Sequence, residues 1–120
     1  MPDTKQLGAQ QRFAVKIDCL VIYILWEFTV PESHLAAFER AYAGDGVWAG
    51  LFRRDPAYRE TILVKDHTQS RRYLTIDVWE DKDSYLRFKD RFADEYKAID
   101  EECEQLTSAE RQIGIFERLP

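Results

Sequence analysis

Tyr73-Leu74-Thr75-Ile76-Asp77-Val78-Trp79-Glu80 runs directly into Asp81-Lys82-Asp83-Ser84-Tyr85. Leu74, Ile76 and Val78 alternate with Tyr73, Thr75, Asp77 and Trp79. A repeat of two is the signature of a strand, because successive side chains point to opposite faces. The even side is purely aliphatic and suits a core packed by helices. The odd side carries two aromatics, a hydroxyl and a carboxylate, and suits a cavity on the other face of the sheet. The change to charged residues after Glu80 marks the end of the strand. Asp81 or Asp83 is placed to cap a following helix.

Working outward, Tyr85, Phe88, Phe92, Tyr96, Ile99, Cys103 and Leu106 recur at steps of three and four. This is the stripe of a long amphipathic helix that bends or breaks midway and ends near Thr107-Ser108. Ile113-Gly114-Ile115-Phe116 is then a short last strand. Upstream, a strand runs from about Tyr58 to Lys65, and Asp66 to Arg71 is a polar hairpin loop without an Asn-Gly type turn. A first strand lies within Ile17 to Val30. Its segment Leu20 to Trp26 is apolar on both faces, as expected of a strand covered on both sides. Pro31 opens a helix carrying Leu35, Phe38 and Tyr42, with Gly44 as its stop. Val47 to Phe52 is a short apolar segment of about one helical turn.

The resulting order, β-α-β-β-α-β, predicts an α+β, ferredoxin-like fold: a four-stranded antiparallel sheet with both helices on one face. The opposite face would be bare and apolar. A second copy packed face to face around a two-fold axis is the simplest cover, so the reading predicts a homodimer, a dimeric α+β barrel.

The chain has 120 residues and a net charge of −5, enough for one domain and unfavourable to nucleic acid. No apolar run is long enough to cross a bilayer. Residues 1–16 are polar, without the apolar stretch of a secretory signal, and read as a disordered N-terminal tail before a domain over residues 17–120. Cys19 and Cys103 are too few for a disulfide framework or a zinc site, which fits two reduced thiols in a cytoplasmic protein.

Several segments resemble the antibiotic biosynthesis monooxygenase family of the dimeric α+β barrel superfamily. They are Trp26-Glu27-Phe28-Thr29-Val30-Pro31-Glu32, Phe38-Glu39, Tyr42, Gly46-Val47-Trp48, Leu51-Phe52-Arg53 and Tyr73 to Glu80. The resemblance spans roughly Leu20 to Glu117. It implies a monooxygenase that works without a cofactor or metal on an aromatic small molecule such as an anthrone or quinol. The same fold also hosts members without known activity, so a non-catalytic dimer that binds a small ligand or serves as a scaffold is the alternative.

Such chemistry needs an apolar pocket, a base and donors for a developing oxyanion. Asp77 and Glu27 are the candidate bases. Trp79 resembles the tryptophan that the family places on this strand, and its indole N–H can donate. Tyr23, Tyr73, Trp48 and Phe52 are the candidate substrate-binding residues. Each also has a structural reading. Trp79 can fill a dimer core, and Asp77 and Glu27 can pair with Arg53, Arg54, Arg59 or Arg72. Tyr23 and Tyr73 can fill the space between sheets, and Trp48 and Phe52 can close the end of the core. Two departures from the family matter. Its oxygenases and haem degraders commonly use an asparagine on the first strand, and this chain has none. Its haem degraders use a histidine from the second helix. Here the histidines are His34 and His67, both outside that helix.

Overall fold

The computed structural model describes residues 20–120. The tail expected over 1–16, the start of the first strand at Ile17 and Cys19 lie outside the described residues. Strands β1 (Ile22–Thr29), β2 (Tyr58–Lys65), β3 (Arg72–Trp79) and β4 (Ala109–Glu117) form one sheet in the order β2-β3-β1-β4. Every pairing is antiparallel. This is the ferredoxin-like order. After a 3₁₀ turn at Glu32–His34 come helices α1 (Leu35–Tyr42) and α2 (Val47–Phe52). Helices α3 (Lys82–Arg91) and α4 (Ala93–Cys103) follow β3. The long helix expected after Glu80 is these two, broken at Phe92. That residue has φ −111° and ψ 30°, well away from helical values. The cap is Asp81, whose Oδ1 accepts from the Ser84 N–H at 2.7 Å. It satisfies one of the backbone donors left open in a first helical turn.

The two faces of β3 are reversed relative to the sequence reading. Tyr73, Thr75, Asp77 and Trp79 are buried, and they lie under the helices. Leu74 and Ile76 are only half-buried, on the outer face, although Val78 beyond them is buried. The register explains this. Trp79 opposes Ile22 on one side and Tyr58 on the other, and helix α3 lays Tyr85 and Phe88 on its ring, at centroid distances of 5.5 and 5.0 Å. The bulky odd residues interlock with helical aromatics, which flat aliphatic residues cannot do as well. The outer face keeps Tyr23, Leu25, Leu74 and Ile76, with Ile62, Val64 and Phe116 exposed beside them.

Short-range chemistry fixes the connections. Asp66 replaces the missing Asn-Gly turn of the β2–β3 hairpin, as an aspartate can by bonding the backbone just ahead of it. Its Oδ1 accepts from the backbone N–H groups of Thr68 and Gln69 at 2.7 and 3.0 Å, and its Oδ2 from Arg72 at 2.8 Å. Those donors hold its carboxyl far below the usual carboxylate range. Between α1 and α2, the Arg53 guanidinium donates to the Gly44 carbonyl. Gly46 precedes α2 where a Cβ would collide with the Ala41 and Arg40 carbonyl oxygens.

Gly46 and Gly50 therefore make a matched pair. Gly46→Ala should cost about 1–3 kcal/mol, because backbone cannot move aside as a flexible side chain can. At Gly50, which is helical, an added Cβ meets nothing within 4 Å. Gly50→Ala should stabilise by about 0.5–1 kcal/mol. Urea denaturation midpoints of the two variants should move in opposite directions.

Candidate active site

Between the helix-covered face of the sheet and the helices lies a cavity of about 280 Å³. Its sheet side is Trp26 and Phe28 of β1, Thr61 of β2, Thr75 and Asp77 of β3 and Glu110 of β4. Its helix side is Tyr42 of α1, Trp48 and Phe52 of α2, Lys89 of α3 and Tyr96 with Asp100 of α4. The volume sits near the lower end of small-ligand pockets, roughly 300–1,000 Å³. Apolar floor and roof with a few polar groups inside are what such pockets share.

Asp77 is the buried carboxyl group among the described residues that line this cavity. It is 9 % exposed. Loss of water pushes its carboxyl up to about 6, and a hydrogen bond from Thr61 opposes that rise. The Thr61 hydroxyl donates to Asp77 Oδ1 at 2.7 Å, and the Tyr58 hydroxyl donates to Thr61 Oγ1 at 2.7 Å. The donor direction matters. Thr61 spends its only proton on Oδ1, and Tyr58 supplies the proton that Thr61 accepts. Among the described residues no donor reaches Oδ2, so that oxygen is the one left to take a proton. Tyr58 is itself held protonated, raised first by burial.

This chain of hydroxyls depends on an irregularity of β2. The register shifts between Tyr58 and Glu60, so that Tyr58 opposes Trp79 and Thr61 opposes Asp77. Residues 58 and 61 are an odd number apart and would face opposite sides of a regular strand. The bulge brings both under the helices.

The roof supplies neutral donors. Burial, first among the causes, raises the Tyr42 and Tyr96 hydroxyls well above the ordinary tyrosine range, so both stay protonated at neutral pH. The Trp48 indole N–H is buried without a hydrogen-bond partner; the Tyr42 hydroxyl and the Cys103 thiol lie near it without meeting hydrogen-bond geometry. Trp48 packs edge-on to Tyr96, at 4.9 Å between centroids.

The seven candidates from sequence part into three places. Asp77, Trp48 and Phe52 line the cavity. Trp79 and Tyr73 belong to the adjoining core. Trp79 is fully buried among Phe52, Tyr58, Tyr85 and Phe88, off the cavity lining, and its indole N–H has no partner among the described residues. Tyr73 packs on Phe38 and donates its hydroxyl to Glu39. Glu27 and Tyr23 lie on the outer face, opposite Leu74 and Val78. Glu27 binds Arg72 at 2.5 Å and Arg111 at 2.6 Å, and these hydrogen bonds, Arg111 first, lower its carboxyl. The parity of β1 separates Glu27 from Asp77, which pairs with Ile24.

Sequence reasoning missed Thr61, Tyr58, Tyr42, Tyr96, Trp26, Phe28, Lys89, Asp100 and Glu110. Tyr42 and Tyr96 were visible as members of helical apolar stripes, and Thr75 as a neighbour of Asp77. Thr61 had no signal, since the bulge that aims it leaves no distinctive residue.

The fold is shared with several solved structures. SnoaB, a cofactor-independent oxygenase from Streptomyces nogalater, matches with a TM-score of 0.57 at 22% identity, covering 84% of this chain and 95% of that one. A protein from Bordetella bronchiseptica named as a candidate antibiotic biosynthesis monooxygenase matches with a TM-score of 0.65 at 16% identity, over 84% and 99% of the two chains. PA3566 from Pseudomonas aeruginosa matches with a TM-score of 0.62 at 17% identity, over 86% and 98%. No family model matches the chain, and no curated protein does.

Asp77 makes a stability prediction with a definite sign. Its folded-state carboxyl lies above the unfolded value of 3.8, at about 6. Its contribution is therefore fully present below about pH 4 and is lost as pH rises through about 6. Asp77→Asn should be more stable than the parent at pH 7 by on the order of 2–3 kcal/mol, and the gain should vanish near pH 4. Guanidinium unfolding of both proteins across pH 4 to 7 measures the difference.

Proposed function

We propose that the chain is a monooxygenase that oxidises an aromatic small molecule of the anthrone or quinol kind without a cofactor, with Asp77 as the general base. The observation that carries this reading is one desolvated carboxylate, oriented by Thr61 and open at Oδ2, inside a cavity walled by aromatics. The shared fold with a cofactor-independent oxygenase supports it.

In this reading the substrate lies between the sheet aromatics Trp26 and Phe28 and the roof aromatics Trp48 and Phe52. Asp77 Oδ2 removes a proton from the activated ring carbon, and the developing oxyanion is met by the Tyr42 or Tyr96 hydroxyl. The carbanion gives one electron to dioxygen, and the two radicals join as a peroxide. Loss of water turns the ring methylene into a carbonyl, so that one oxygen atom ends in product and the other in water. A base with a pKa near 6 is ionised at neutral pH yet retains proton affinity, which suits a weakly acidic ring methylene. Glu27 has no part in this scheme, because its arginine partners keep it ionised on the opposite face. Trp79 supports the cavity through Phe52, against which it packs at 5.9 Å.

The outer sheet face supports the second half of the proposal, a cytoplasmic homodimer closed sheet to sheet. Ile62, Val64 and Phe116 are 39%, 38% and 48% exposed on that face. Large apolar side chains gathered on one open face are the usual mark of a surface that another protein covers. The Glu27–Arg72–Asp66 network, joined by Arg111, lies on the same side of the sheet, where it can border a face-to-face contact. Among the described residues no helix is long and apolar enough to cross a membrane.

Two measurements test the proposal. Oxygen uptake with an anthrone, in metal- and flavin-free buffer, should rise with pH through about 6 and fall at least a hundredfold in Asp77→Asn. Trp79→Phe should cost far less. Saturable binding with no uptake across a panel of aromatic substrates would favour the ligand-binding alternative. In sedimentation velocity the parent chain should run as a dimer and Ile76→Lys as a folded monomer; a parent that is monomeric at high concentration rules out the sheet-to-sheet pair.

A further inference from the structure

The cavity is unevenly charged. Three carboxylates, Asp77, Asp100 and Glu110, face it against one ammonium, Lys89. The strand register places them at different ends. Asp77 sits at the level of Ile24 on β1, and Glu110 at the level of Phe28. Four residues of strand separate those levels, about 13 Å along the sheet. The deep end thus holds a single desolvated carboxylate, and the outer end holds an acidic pair.

That outer end continues into a second cavity of about 330 Å³, which shares Asp100 and Glu110 with the first and adds Glu104, Thr107 and Ser108. Among the described residues no basic side chain lines it. Among the described residues no salt bridge engages Asp100, Glu104 or Glu110. Asp100 and Glu110 are exposed at this rim. Partial desolvation first, and the Asp100 charge second, raise the Glu110 carboxyl, and a cation placed there would relieve that repulsion.

Aromatic rings at and beside the cavity already hold a cation. Lys89 Nζ lies 5.1 Å from the centre of the Tyr96 ring and 5.6 Å from that of Tyr85. Trp26, Phe28, Tyr42 and Trp48 add further ring surface on the same cavity. One polar group lining the slot also has no donor among the described residues: Oδ2 of Asp77, a residue only 9 % exposed. Ring faces with an excess of carboxylate attract a cationic ligand more strongly than a neutral one.

We infer that the cavity takes a planar aromatic molecule carrying a cationic amine, its ring in the aromatic slot and its ammonium between Asp100 and Glu110. The inference rests on this cavity being the substrate site of the reading above, and it narrows the substrate class from any aromatic to an amine-bearing one.

Isothermal titration calorimetry on the full chain at pH 7 tests it with three probes of one ring system: 2-(aminomethyl)naphthalene, 2-naphthalenemethanol and 2-naphthoate. The amine should bind about tenfold more tightly than the alcohol, and the carboxylate most weakly. The double variant Asp100→Asn, Glu110→Gln should bring the amine to the affinity of the alcohol. The alcohol's own affinity should stay within about twofold, showing that the slot is intact. Equal affinities for amine and alcohol, a preference that survives the double variant, or no binding of any probe would each overturn the inference. Binding is read without turnover, so the two readings fail separately. Amine preference with no oxygen uptake defeats the oxidation scheme alone, whereas uptake with neutral phenols and equal probe affinities defeats the amine assignment alone.

Discussion

The structure depends on which face of β3 the helices cover. Trp79 decides it. Its ring meets Phe52 of α2, Tyr58 of β2 and Tyr85 and Phe88 of α3, and it is fully buried. Among the described residues no other member of the sheet joins so many helical aromatics. Once Trp79 faces the helices, the period of two carries Asp77, Thr75 and Tyr73 with it. A carboxylate is thereby placed under the helices because of where a tryptophan packs, two residues away. The same parity leaves Leu74 and Ile76 on the outside.

That placement has a cost. A carboxylate in a desolvated site favours its neutral form, and the folded chain is less stable at neutral pH for it. Natural sequences break local rules of this kind mainly at functional sites. The hydrogen bond from Thr61 offsets part of the cost without removing it, and among the described residues the other carboxylate oxygen has no donor. Glu27 shows the contrasting case. Two arginines satisfy it, its carboxyl is lowered, and it fastens three strands on the outer face.

The architecture was legible in the sequence to an unusual depth. Strand β2 matches its expected span of Tyr58 to Lys65, the helix stripes mark the right residues, and the topology follows from element order and crossover handedness. The candidate site was legible in part. Asp77, Trp48 and Phe52 line the cavity, while Trp79 and Tyr73 sit in the core beside it and Glu27 and Tyr23 on the far face. The error has one source. Alternation reveals that two faces differ and is silent about which one meets the helices. The aliphatic face looked like core, yet large aromatics fill the gap between sheet and helix better than a row of Leu, Ile and Val.

What the sequence determined by itself is the set of local preferences. These are the strand periodicities, the Asp81 cap, the Asp66 turn and the apolar stripes of α3 and α4, each set by residues within a turn or two of one another. What only the tertiary structure decided is how those elements face each other. The bulge before Glu60 turns Tyr58 and Thr61 to the same side, and the register with β3 sets Thr61 against Asp77. Pairing β4 with β1 carries Glu110 to the mouth of the cavity beside Asp100. The physical reason is range. Periodicity and capping act between near neighbours, whereas burial, register and the pKa of a carboxylate depend on segments brought together from far along the chain.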